Sequence, residues 1–119
     1  MIIKLNTKTC LWRGKEPAMG SGKADLLDAI IATGSISGAG RAMNMSYRRA
    51  WLLVDAMNRC FREPLVRTAA GGQQGGGASV TETGLAVLAE FRRMQRATDA
   101  AAQPFLCAFA GMLRDLEDR

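Results

Sequence analysis

The sequence contains no histidine. That absence excludes Ser-His-Asp and Cys-His catalysis, histidine-ligated metals and the commonest general base at neutral pH. Carboxylate and lysine chemistry survive this exclusion. However, no two acidic residues sit together among apolar neighbours as a tuned acid–base pair would. Cysteine is scarce, and Cys10, Cys60 and Cys107 are odd in number and far apart. They form neither a CxxC pair nor a disulfide framework. Cys60 and Cys107 have apolar neighbours and are expected to be buried thiols. No apolar run approaches the roughly 18 residues that a spanning helix needs, so no membrane partner is expected. The opening Met1-Ile2-Ile3-Lys4-Leu5-Asn6 lacks a basic leader, a long apolar run and a cleavage site, and a cytoplasmic location is expected. No enzymatic activity, catalytic residue, metal ligand or cofactor is expected.

What is present is a positive charge excess. Sixteen Lys and Arg face eleven Asp and Glu in 119 residues, a formal net charge of +5. Such a balance in a small domain points to a polyanion, nucleic acid first. With 48% hydrophobic residues, the chain can still bury a core. Its length fits one domain plus an extra helical element.

Patterning divides the chain into elements. Residues 2–12 alternate loosely, with Ile3, Leu5, Thr7, Thr9 and Leu11 on one side, which predicts an edge strand. Residues 14–22, with Pro17, Gly20 and Ser21, predict a connector. A first helix is predicted over 22–33, with Leu26, Leu27, Ile30 and Ile31 on one face and Gly34 as its C-terminal stop. Ser35 caps a short second helix to Met43, where Asn44 can stop it in a left-handed conformation. Gly38 and Gly40 weaken that helix, and close approach of another backbone would justify them. Ser46 caps a third helix to Arg62. Ala50, Leu53, Val54, Met57 and Phe61 form its inner face, and Arg48, Leu52, Asp55 and Arg59 its outer face. Pro64 ends it. Residues 64–68 and 79–81 are strands, joined by AAGGQQGGGA, and so predict a hairpin. Thr81 caps a fourth helix with Leu85, Leu88 and Phe91 as its stripe. Pro104 is expected to break or kink that helix ahead of an amphipathic stretch, 105–116.

Two helices, a polar turn, an arginine-bearing helix and a hairpin follow the order of a winged helix-turn-helix. The fold class expected is therefore α+β, mostly α, with a DNA-binding domain over 1–82 and a helical dimerisation segment over 83–119. The third helix would enter the major groove, which accepts one helix and exposes base edges to residues near its N-terminus. Those residues are Ser46, Tyr47, Arg48 and Arg49. Arginine can pair bidentately with guanine, and serine or tyrosine can bond phosphate. Ser35, Ser37 and Arg41 of the second helix, and Gly72, Gln73, Gln74 and Gly75 of the hairpin tip, are expected to contact the DNA backbone. Arg41, Arg48, Arg49, Arg59, Arg62 and Arg67 concentrate positive charge in this region. Arg49 lies nearer the core side of the wheel, and it stays open whether Arg49 and Trp51 touch DNA or brace the fold. Met43, Met45 and Met57 are spaced as core filler. The glycine loop lacks the GK[ST] element of a Walker motif and returns into a strand, which argues against a nucleotide-binding enzyme. A winged module that presents its basic face to an acidic protein is the alternative reading.

The stretch 32–58, ATGSISGAGRAMNMSYRRAWLLVDAMN, resembles the helix-turn-helix of the LysR-like group, and within it the ModE molybdate-responsive regulators. Residues 61–81, FREPLVRTAAGGQQGGGASVT, resemble the wing of that family, paired and tripled glycines included. The likeness covers residues 20–90, and the glycine wing is its more specific half. It implies a homodimer on duplex DNA at an inverted repeat, regulating molybdate transport or molybdoenzyme genes. Molybdate-binding modules follow this domain in the family. The 119 residues do not extend into them, so effector sensing is expected to be absent or to come from a separate partner.

Overall fold

The computed structural model describes residues 3–69 and 77–115. In chain order the elements are β1 (Cys10–Arg13), β2 (Glu16–Gly20), α1 (Ser21–Thr33), α2 (Ile36–Ala42), α3 (Tyr47–Cys60), β3 (Val66–Thr68), β4 (Ala78–Val80) and α4 (Glu82–Ala110). The α1–α2–α3 cluster and the β3–β4 hairpin make the expected winged arrangement.

The predicted stops and caps are in place. Gly34 closes α1 at φ 75°, and its N–H donates to the Ile30 carbonyl at 2.8 Å. This backbone region disfavours a side chain, so glycine suits it. Asn44 occupies the left-handed region at φ 55°. The hydroxyls of Ser35, Ser46 and Thr81 accept from the backbone N–H groups of Gly38, Arg49 and Gly84, capping α2, α3 and α4.

The core lies where α1, α2 and α3 meet. Leu26, Leu27, Ile30, Ala39, Ala50, Val54 and Met57 are buried, and Leu88 and Phe91 of α4 close the cluster. Met57 is fully buried, and Met43 and Met45 pack against the core as expected. Ile31 and Leu85 do not join it. Each is about half exposed, 51% and 48%. The inward stripe of α4 is instead Gly84, Leu88 and Phe91, because Gly84 brings the helix against β3. A Cβ there would lie 2.3 Å from the Leu65 carbonyl oxygen and 2.6 Å from Val80 Cγ1.

Four other expectations are corrected. Residues 3–9 form no strand. Thr7 instead bonds Asp99 of α4 through its N–H (2.9 Å) and hydroxyl (2.8 Å), and Gln103 donates to the Leu5 carbonyl. The expected connector contains β2, which pairs antiparallel with β1. Pro17 hid this strand: it lacks a ladder N–H, and it is accommodated where the register shifts between Leu11 and Trp12. Pro104 does not break α4, which runs through it for 29 residues. Pro104 and Ala100 both face solvent, so water can take the carbonyl that the proline leaves unpaired. Cys107 is exposed and Cys60 only half-buried. The tightest contact at Gly38 is its own cap, with Ser35 Oγ 2.9 Å from a notional Cβ. Gly40 does face another backbone, the Met45 carbonyl, and Ala50 of α3. No helix among the described residues is long and apolar enough to cross a membrane.

Candidate nucleic-acid interface

Three sets of hydrogen bonds, two between backbone groups and one from a side chain, hold the base of the wing. Ala78 N–H donates to the Gly34 carbonyl at 2.8 Å, joining β4 to the α1–α2 turn. Thr81 N–H donates to the Leu65 carbonyl at 2.9 Å. Asn58 of α3 makes the third. Its Oδ1 accepts from Leu65 N–H (2.8 Å) and Val66 N–H (3.1 Å), and its Nδ2 donates to the Val66 carbonyl (3.1 Å). Sequence reasoning passed over Asn58. A lone polar residue close to the inner face of an amphipathic helix was its only signal.

These tethers shape a polar cleft of about 580 Å³ between α2, the start of α3 and the wing base. Ser35, Ser37 and Arg41 line it from α2, Tyr47 and Trp51 from α3, and Thr68 and Ala78 from the hairpin. Four of the expected contact residues, Ser35, Ser37, Arg41 and Tyr47, are thus brought together. Ser46 sits beside them but its hydroxyl is committed to the cap. Arg48 is exposed on the side of α3 that faces away from Ala50, Val54 and Met57. Arg49, expected nearer the core, is also exposed, although its neighbour Ala50 is fully buried. Trp51 is outside the core cluster; it lies 37% exposed in the cleft, edge-on to Tyr47 with ring centroids 6.2 Å apart. Gly72, Gln73, Gln74 and Gly75 lie outside the described residues.

The arginines divide into two sets. Arg59 bonds Glu16 and Asp55, Arg92 clamps α4 to Asp25 and Asp28 of α1, and Arg93 bonds Glu90. Arg59 therefore serves the fold, and its charge is not part of the basic surface counted from sequence. Its guanidinium holds the Glu16 carboxyl below the usual glutamate range, and the Cys60 thiol also donates to that carboxylate. Burial, with Glu16 beside it, pushes the Cys60 thiol up, so it stays protonated at neutral pH. Arg41, Arg48 and Arg49 pair with no carboxylate among the described residues, and Arg41 donates only to Ser37 Oγ at 2.8 Å. Arg41 in the cleft, with Arg48 and Arg49 exposed at the start of α3, suits a phosphate-rich ligand. Among the described residues no group of three or more acidic or cysteine side chains is placed to hold a metal ion.

Comparison with known proteins places this arrangement in a class. LysG of Corynebacterium glutamicum, a full-length LysR-type regulator solved with bound arginine, superposes with a TM-score of 0.53. The match has 25% identity over 80% of this chain and 30% of that one. The fold is the winged helix of the LysR-like group. No family model matches the chain. Sequence relatives narrow the class. The molybdenum-pterin-binding protein MopA of Rhodobacter capsulatus is 42% identical over 91 residues, 76% of this chain and 34% of that protein. The molybdenum transport protein ModE of Azotobacter vinelandii is 40% identical over 78 residues, 66% and 29% respectively. The DNA-binding transcriptional dual regulator ModE of Escherichia coli is 39% identical over 62 residues, 52% and 24%. The chain belongs with the N-terminal winged-helix domains of the ModE group. It spans about a third of the length of the curated relatives it matches.

Proposed function

We propose that this chain is a sequence-specific DNA-binding transcription regulator of the ModE and LysR-like type. It binds duplex DNA at an inverted repeat as a homodimer, and the names of its relatives point to molybdate transport or molybdoenzyme genes as targets. One observation carries the reading. The first turns of α3 are exposed beside the wing base, where Arg41, Arg48 and Arg49 pair with no carboxylate among the described residues, while Ala50, Val54 and Met57 hold the opposite face of the helix in the core. In this reading α3 enters the major groove, Arg48 meets a base edge, and Arg41 and the wing meet the backbone.

The dimer belongs to the proposal too, with residues 1–82 as the DNA-binding domain and 83–119 as the pairing segment. At about 1.5 Å per residue α4 is roughly 43 Å long, and only its first three turns enter the core. Beyond them Phe105 (63% exposed), Phe109 (53%) and Leu113 (51%) follow one another at four-residue spacing. A row of this kind calls for a partner surface, and twofold pairing gives two α3 helices their two half-sites.

The test is duplex binding across salt by Arg48→Ala and Arg41→Ala proteins. Arg48→Ala should cost about 1–3 kcal/mol and relax preference at one base position per half-site. Arg41→Ala should weaken all sequences alike and lower the salt slope by about one unit per half-site. An intact specificity ratio in Arg48→Ala would remove Arg48 from the reading role.

A further inference from the structure

We infer that Tyr47 and Trp51 form an aromatic platform that reads thymine methyl groups in the major groove. This rests on the DNA-binding reading above. Tyr47, Trp51 and Asn58 lie on one stripe of α3, four and seven residues apart, on the flank turned toward the wing. Asn58 spends its polar atoms on β3. Among the described residues the polar atoms of the two rings have no hydrogen-bond partner: Tyr47 is 58% exposed, and both rings stand outside the core cluster. They hold each other edge to face, which fixes the apolar surface they offer. Among the arginines and hydroxyls around the cleft, this pair supplies its aromatic surface.

The major groove offers one apolar group, the C5-methyl of thymine. The geometry fits a short run of base pairs. Ring centroids 6.2 Å apart span about two steps of a duplex that rises roughly 3.4 Å per base pair. The platform thus covers two positions per half-site, next to the base met by Arg48. Ser37, Arg41 and Thr68 line the same cleft and carry the groups that would bond flanking phosphates. This association with free cation and hydroxyls favours DNA over an apolar protein surface as the occupant.

The test uses the full chain and a duplex recovered by selection from a random pool. Each thymine is replaced in turn by deoxyuridine, which removes only the methyl. Affinity should fall about fourfold at one or two positions per half-site, the transfer value of one buried methyl. That penalty should vanish in Tyr47→Ala or Trp51→Ala and persist in Tyr47→Phe, which keeps the ring. A second readout needs no variant. 5-Iododeoxyuridine at the sensitive positions should photocrosslink to Tyr47 or Trp51 in the unaltered protein. Deoxyuridine tolerated everywhere, a penalty unchanged in both alanine variants, or crosslinks only to other residues would overturn the inference and leave DNA binding standing. If selection enriches no duplex, the DNA-binding reading fails and takes this inference with it.

Discussion

Replacing Asn58 by alanine should loosen the wing more than any surface change on α3. The substitution removes three hydrogen bonds at once, at 2.8, 3.1 and 3.1 Å. It also leaves the N–H groups of two buried residues, Leu65 and Val66, without their side-chain acceptor. A net of about 1 kcal/mol per bond, with some desolvation left uncompensated, gives a loss of about 2–4 kcal/mol. Asn58→Asp keeps an acceptor for both N–H groups and gives up only the donor to the Val66 carbonyl, so it should lose less. Asp55→Ala, one turn away, removes only an exposed pair with Arg59 and should cost under about 1 kcal/mol. Urea unfolding followed by circular dichroism measures all three, with an unchanged slope as the sign that the same surface is exposed. The Asn58→Ala protein should also bind all duplexes more weakly, because a wing on the backbone positions the protein without reading bases. An Asn58→Ala loss below that of Asp55→Ala would refute the assignment of Asn58 as the wing's anchor.

Gly84→Ala should destabilise by up to about 2 kcal/mol net: the helix-propensity gain of about 1 kcal/mol is outweighed by a cost of about 3 kcal/mol from a Cβ driven into the Leu65 carbonyl, and thermal melting reads the sign. Glu16 has its folded pKa depressed by Arg59, so its contribution is present above the ordinary glutamate range and lost as pH falls through the depressed value. Stability should therefore drop on acidification below about pH 4.5 more steeply than in Glu16→Gln, as urea midpoints across that window would show. The Thr7 hydrogen bonds depress Asp99 in the same sense, so protection of the Thr7 amide, taken against its intrinsic exchange rate at each pH, should fall on acidification through that depressed value and in Asp99→Ala at neutral pH. Phe105→Glu with Phe109→Glu should give monomers by sedimentation with the domain still folded, whereas a dimer that survives would place the interface elsewhere. Titration of the chain with molybdate should give no micromolar saturable heat, since the hydroxyls of Ser35, Ser46 and Thr81 already accept the cap N–H groups.

The sequence by itself determined the elements whose causes are local. Gly34, Asn44 and the hydroxyls of Ser35, Ser46 and Thr81 mark helix ends through bonds spanning a few residues, and each acts as its position predicts. The inner face of α3 was legible for a related reason: a 3.6-residue period on one helix needs no knowledge of its partner. Tertiary structure decided the rest. Which apolar side of α4 turns inward depended on Gly84 meeting β3, a contact between residues nineteen apart in sequence at Leu65 and Gly84. Whether Arg59 was a DNA-facing cation or a tie to β2 depended on Glu16, which the chain brings back from the opposite end of the domain. Strand β2 was hidden by Pro17 and became legible only through its pairing with β1. The candidate site divided in the same way. Tyr47, Arg48 and Arg49 were placed at the start of α3 by the cap alone. The cleft that sets Tyr47 beside Trp51, Arg41 and Thr68 exists because Asn58, Gly34 and Thr81 tether the wing, and contacts between distant elements leave no period in the sequence.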